Sequence, residues 1–121
     1  MFLKLNHQKL DIYKVSKSFV LECYKLTMHL PSEEKFGMTT QIRRAALSVH
    51  LNISEGASRK SETERKRFYE IARGSIIEID AALDIALELN YMKEVSLDKL
   101  EENMVRCFQM LSKMISVNSD H

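Results

Sequence analysis

The sequence predicts an all-α fold, an antiparallel up-down-up-down four-helix bundle formed as one domain by residues 1–121. Three observations lead there. Apolar residues recur at spacings of three and four through four separate stretches, which is the signature of amphipathic helices. Structural punctuation is sparse, with three Gly and one Pro in 121 residues. The connections between the stretches are short, and short connections make consecutive helices antiparallel neighbours.

The first helix is expected over about Lys9–Leu30, with Ile12, Val15, Phe19, Cys23, Leu26 and Leu30 as its apolar stripe. Pro31 should stop it, because the residue before a proline is pushed out of the α region. The polar link from Pro31 to Gly37 can hold a short helical turn capped by Ser32. The second helix should run over about 38–57, with Met38, Ile42, Ala45, Val49 and Ile53 inward.

Ser61 followed by Glu64 forms a capping box and opens the third helix, expected over about 61–90. Its predicted core stripe is Phe68, Ile71, Ser75, Ile79, Ala82, Ala86 and Leu89. After a turn from Tyr91 to Val95, Ser96 can cap a fourth helix over about 96–117, with Asp98 favourable near its positive end. Leu97, Leu100, Met104, Cys107, Leu111 and Met114 supply its stripe. The tail from Asn118 to His121 is expected to fray.

Two packing expectations follow. The second half of the third helix is apolar around most of its circumference, leaving only Glu78, Asp80, Asp84 and Glu88 as a polar strip. Ile76, Ile77, Ala81, Leu83, Ile85 and Leu87 exceed what one bundle needs. A broad intramolecular core could cover them, but an oligomer interface is the preferred reading. Folding the chain near Arg59 also sets Ala45, Ala46 and Ser48 opposite Gly74 and Ser75, predicting close backbone approach there. The same alignment brings Arg44 within reach of Glu70 or Glu78.

Function is less legible. Net charge is +1, which excludes a simple polycation mechanism but not a local basic patch. Arg59, Lys60, Arg65, Lys66 and Arg67 cluster at the second turn, with Tyr69 as a candidate base-stacking group. Interspersed Glu55, Glu62, Glu64 and Glu70 favour the alternative of a solvated, salt-bridged face. Gln41, Arg43, Arg44, Asn52, Glu55 and Glu78 form a polar set read as structural hydrogen-bonding and ion-pairing groups. The four His residues are scattered, and no Glu-x-x-His pair, zinc spacing or phosphate-cradling loop occurs. No enzyme activity, cofactor, metal or small-molecule substrate is therefore expected. Cys23 and Cys107 read as buried thiols of a reducing compartment. The opening residues lack a signal-peptide core, and no apolar run reaches a membrane span, so a cytoplasmic protein is expected.

Gln41-Ile42-Arg43-Arg44-Ala45-Ala46-Leu47-Ser48, followed by Asn52-Ile53-Ser54-Glu55-Gly56, resembles the signature of the bacterial four helix bundle protein family, also called ribosomal RNA intervening-sequence proteins. Pro31, Glu34, Gly37, Phe68, Ala72, Gly74, Ser75 and Glu78 agree with it. One departure is His50, where the family pattern usually has proline, and it should leave the second helix straighter. The resemblance implies an α bundle with a tendency to form ring-like homopentamers, and no established enzyme activity. The family name records that some members are encoded within large-subunit ribosomal RNA genes. A related bundle, an accessory factor of retroelements, implies RNA or DNA as the alternative partner. The sequence thus supports an oligomeric scaffold or interaction protein, with a nucleic-acid-binding accessory module as the alternative.

Overall fold

The computed structural model describes residues 2–119. It contains four α-helices: α1 Asp11–Thr27, α2 Met38–Ser58, α3 Glu62–Glu88 and α4 Asp98–Ser119. No strand occurs among the described residues. Each helix packs on its sequence neighbours, and α4 closes the ring on α1. Residues 13 and 16 of α1 meet His50 of α2, whereas Thr27 meets Arg43. Ser48 meets Ser75, and Gln41 meets Glu78. Both pairings run in opposite chain directions, so α1 and α2, and α2 and α3, are antiparallel.

The ends of the helices differ from the sequence reading for local reasons. α1 starts at Asp11 because Leu10 is extended, with a 3-10 turn at Asn6–Lys9 before it. It ends at Thr27, and Met28, His29 and Leu30 tighten into bonds three residues back before Pro31. The Pro31–Gly37 link does contain a 3-10 turn, Ser32–Glu34, but Ser32 is its first residue and makes no side-chain cap. Glu34 does the capping instead: its carboxylate accepts the Met38 N–H at 3.1 Å and satisfies an open donor of α2.

Ser61 caps α3 as expected, accepting the Glu64 N–H at 3.3 Å. The helix stops at Glu88 rather than Asn90, because Asn90 takes a left-handed φ of 60°. Asn90 then donates to the Leu87 carbonyl and Tyr91 to the Ala86 carbonyl, which completes a Schellman stop. α4 begins at Asp98, and Ser96 lies outside the helix start expected of it. Its backbone runs through Ser119, so the fraying expected from Asn118 concerns in part residues outside those described.

Phe19, Ile42, Val49, Ile53, Ile76, Ile79 and Leu111 fill the centre. The predicted stripes of α1 and α2 face inward, with Met38 partly buried. The predicted stripe of α3 holds only in part: Ser75, Ile79 and Ala86 are buried and Ala82 is partly buried against the core. Ile71 and Leu89 are exposed and Phe68 is partly buried, while Tyr69, Ala72, Ile76 and Leu83 are in the core. Apolar residues surround much of α3, so periodicity alone could not set its rotation. Contact with α2 sets it. The close approach falls at Gly56, where an added Cβ would lie 2.7 Å from Tyr69 Cε1 and 3.0 Å from Phe68 Cβ. Gly74, expected to lie at that approach, is exposed with open space around it. The Ser75 hydroxyl, its neighbour, is the group that donates to Ser48 across the interface, at 3.0 Å.

Candidate interaction surfaces

Of the polar residues of α2, Gln41 and Arg43 join it to its neighbours, while Asn52 and Glu55 are engaged locally. Arg43 Nε donates to the buried Thr27 hydroxyl at 2.8 Å, and its guanidinium lies 5.0 Å from the centre of the Tyr24 ring. One side chain thus ties α1 to α2 by a charge-assisted hydrogen bond and a cation–π contact. The Gln41 amide donates to the Glu78 carboxylate and joins α2 to α3. The Asn52 amide donates within its own helix to the Ser48 carbonyl at 2.8 Å and to the Ser48 hydroxyl at 3.1 Å. Glu55 pairs with Arg59 at 3.2 Å.

Arg44 departs from expectation. Glu78 is engaged by Gln41, and Glu70 lies 3.9 Å from Lys66. Arg44 is exposed and lines a shallow surface groove with Leu47, Leu51, Asn52, Glu55 and Phe68. Bundle register therefore comes from Gln41, Arg43 and the Ser48–Ser75 pair, not from an Arg44 ion pair.

The basic cluster sits at the α2–α3 turn, and several of its charges have local work. Arg59 pairs with Glu55 and stacks over Phe68 with its guanidinium 5.1 Å from the ring centre. Arg65 Nη1 donates to the Arg59 carbonyl at 3.1 Å and the Lys60 carbonyl at 2.6 Å, closing the turn. Lys66 faces Glu70 one turn along the helix. Lys60 and Arg67 are exposed. Tyr69 corrects the sequence reading: it is 3% exposed, packed against Gly56, and so has no free ring face for a base. Burial also pushes its phenol pKa up, against the opposing effect of Arg65. The missed signal was Gly56, which makes room for that ring.

The apolar row of α3 divides. Ile76 and Leu83 are buried in the chain's own core and cannot form an intermolecular surface. Both belong to the buried apolar core cluster. Ile77, Ile85 and Leu87 are 54%, 52% and 50% exposed, and Ala81 is exposed among them. Beside Ile77 a groove of about 450 Å³ runs between α3 and α4, bounded by Ile76, Ile77, Asp80, Met104, Val105 and Phe108. Sequence reasoning missed Val105, because it lies off the inward stripe of α4. That position is what leaves it 47% exposed at the groove.

His50, singled out in the sequence only as the departure from the family's proline, makes a contact the sequence did not show. Its Nδ1 is 2.7 Å from the buried Ser16 hydroxyl, which also donates to the Tyr13 carbonyl at 3.0 Å. The ring centres of His50 and Tyr13 are 4.5 Å apart, and His7 meets Tyr13 edge-on with its ring centre 5.7 Å away. Burial, followed by the charges of Lys17 and His7, lowers the His50 pKa below its ordinary value. The residue at the usual proline position thus ties α2 to α1. Cys23 and Cys107 are free and fully buried, and burial pushes both thiols up to about 12. Such thiols are poor nucleophiles.

Among the described residues, no cluster of three or more His, Cys, Asp or Glu could hold a metal ion. No helix among them is long and apolar enough to cross a membrane. Fold and surfaces together define an all-helical bundle protein with apolar and basic faces. The family model of the 23S rRNA-intervening sequence protein matches residues 8–113, and the chain belongs to that family. No curated protein matches it.

Proposed function

We propose that the chain is a non-enzymatic, self-assembling scaffold or interaction protein, acting in the cytoplasm and built as a single domain. The observation that carries this is the row Ile77, Ala81 and Ile85, spaced four residues apart and left exposed on α3, with Ile77 also bounding the α3–α4 groove. A contiguous apolar face of this kind marks a partner surface. A second copy of the chain is the simplest partner, and the family resemblance points to a pentamer. Engagement of Gln41, Arg43, Asn52 and Glu55 in local contacts supports a structural role for the polar motif. Two buried free thiols suit a reducing compartment.

Sedimentation at micromolar concentration tests the reading. An assembly several times 14.1 kDa is expected, and Ile85→Glu should dissociate it. That side chain is half exposed in the single chain, so its charge is tolerated there but not in a dry interface. A clean monomer from the unmodified protein overturns the proposal.

A second reading, nucleic-acid binding, is supported by the exposure of Lys60 and Arg67 at the basic turn, which a ring would repeat around its axis. Binding of this kind weakens steeply with salt, unlike an apolar protein interface. Replacing Arg65, Lys66 and Arg67 with Ala should abolish salt-sensitive RNA retention. Absence of binding by the unmodified protein at low salt removes this reading.

A further inference from the structure

The segment before α1 is apolar, basic and almost uncovered. Phe2 is 93% exposed and Leu3 is 74% exposed, with Leu5 and Leu10 also open to solvent. The chain bends at Lys4, whose φ of 50° is uncommon for a residue with a side chain. Residues 2–10 carry Lys4 and Lys9 and no carboxylate.

The α3–α4 groove has the complementary character. Ile77, Val105 and Phe108 make its apolar wall, and Asp80 stands in it. Val105 and Gln109 continue into an adjoining depression lined by Asp98, Glu101, Glu102 and one cation, Arg106. An apolar floor with an acidic rim suits an apolar segment with basic flanks.

The chain's own arm cannot fill this groove. The arm leaves from the 3-10 turn Asn6–Lys9, which packs on α1 and α2, whereas the groove lies between α3 and α4. Four extended residues reach at most about 14 Å. Crossing the bundle means passing two helices, each about 10 Å across.

We infer that residues 2–5 of one copy dock into the α3–α4 groove of the next, Phe2 and Leu3 against Ile77, Val105 and Phe108, and Lys4 toward Asp80 and the Glu101–Glu102 rim. The inference rests on the self-assembly proposed above and names the segment that completes it. Because arm and groove lie on opposite sides of the bundle, the contact is head-to-tail. Repetition of a head-to-tail contact closes a ring when the rotation permits.

The test pairs sedimentation with photocrosslinking on the full chain. Phe2→Ser with Leu3→Ser alters only exposed residues, so helix content should stay unchanged. The assembly should dissociate at protein concentrations about ten- to a hundredfold higher than for the unmodified chain. Val105→Glu in the groove should act in the same direction. With photoreactive benzoylphenylalanine replacing Phe2 in an isotope-labelled copy, crosslinks should fall on residues 104–109 of the unlabelled copy. If the unmodified chain assembles but the arm variant assembles equally tightly, or crosslinks fall elsewhere, the arm is not the docking element while self-assembly stands. If the unmodified chain is a monomer, both proposals fall.

Discussion

Two glycines, one at the α2–α3 contact and one in the middle of α3, should respond to alanine in opposite ways. At Gly56 an added Cβ meets Tyr69 Cε1 at 2.7 Å, and Tyr69 Cδ1 and Phe68 Cβ at 3.0 Å. Ordinary carbon contacts are about 3.5–4.0 Å, so the neighbours must retreat by between half an ångström and one. They have little room to do so: Tyr69 is buried, two atoms of its ring are in the way, and Phe68 Cβ is bonded directly to the backbone of α3. The two helices must separate. Overpacking of this kind costs about 1–3 kcal/mol, offset by at most about 1 kcal/mol of helix propensity. Gly56→Ala should therefore lose about 1–2 kcal/mol. Gly74 is exposed with nothing within 4 Å of an added Cβ, so Gly74→Ala should gain about 0.5–1 kcal/mol. Urea unfolding followed by circular dichroism measures both, at one fixed protein concentration because assembly adds to stability. A Gly56→Ala protein as stable as the unmodified one, or a destabilised Gly74→Ala protein, would refute this rotation of α3.

Three further outcomes are expected. Ser61→Ala removes the acceptor for the Glu64 N–H and should cost about 1 kcal/mol in chemical denaturation. Because the folded-state pKa of His50 lies below its ordinary 6.5, the unfolded chain binds the extra proton more readily. The contribution of His50 to stability is then present above pH 6.5 and declines as pH falls through the folded value. His50→Gln should flatten this part of the stability–pH curve, and an unchanged curve would remove His50 as its source. Arg43→Lys should lose about 1 kcal/mol despite keeping the charge, since an ammonium cannot both hydrogen-bond Thr27 in the same geometry and stack on Tyr24; equal melting temperatures would argue against that double role.

The site residues were legible to different depths. The basic cluster could be placed at a turn because Gly56, Ser58 and the Ser61 cap announce the turn locally. That Arg59 and Lys66 would be paired was foreshadowed by Glu55 and Glu70, each four residues away. Tyr69 was misplaced because neighbouring aromatic residues on a helix lie about 100° apart, and only the partner helix decides which one turns inward. The groove at Val105 could not be read at all. It exists between two helices, and its width depends on how both are rotated.

By itself the sequence determined the helices, most of their order and the inward faces of α1 and α2. Those properties depend on residues three or four apart, on a capping serine and on a proline, all within a turn or two of one another. Tertiary structure decided the rest. It chose Tyr69, Ile76 and Leu83 for the core of α3 and left Ile77, Ile85 and Leu87 outside. It moved the close approach from Gly74 to Gly56 and brought His50 to Ser16. The physical reason is that a helix apolar on several sides carries no internal record of its rotation. Only the shape and polarity of the surfaces packed against it can supply one.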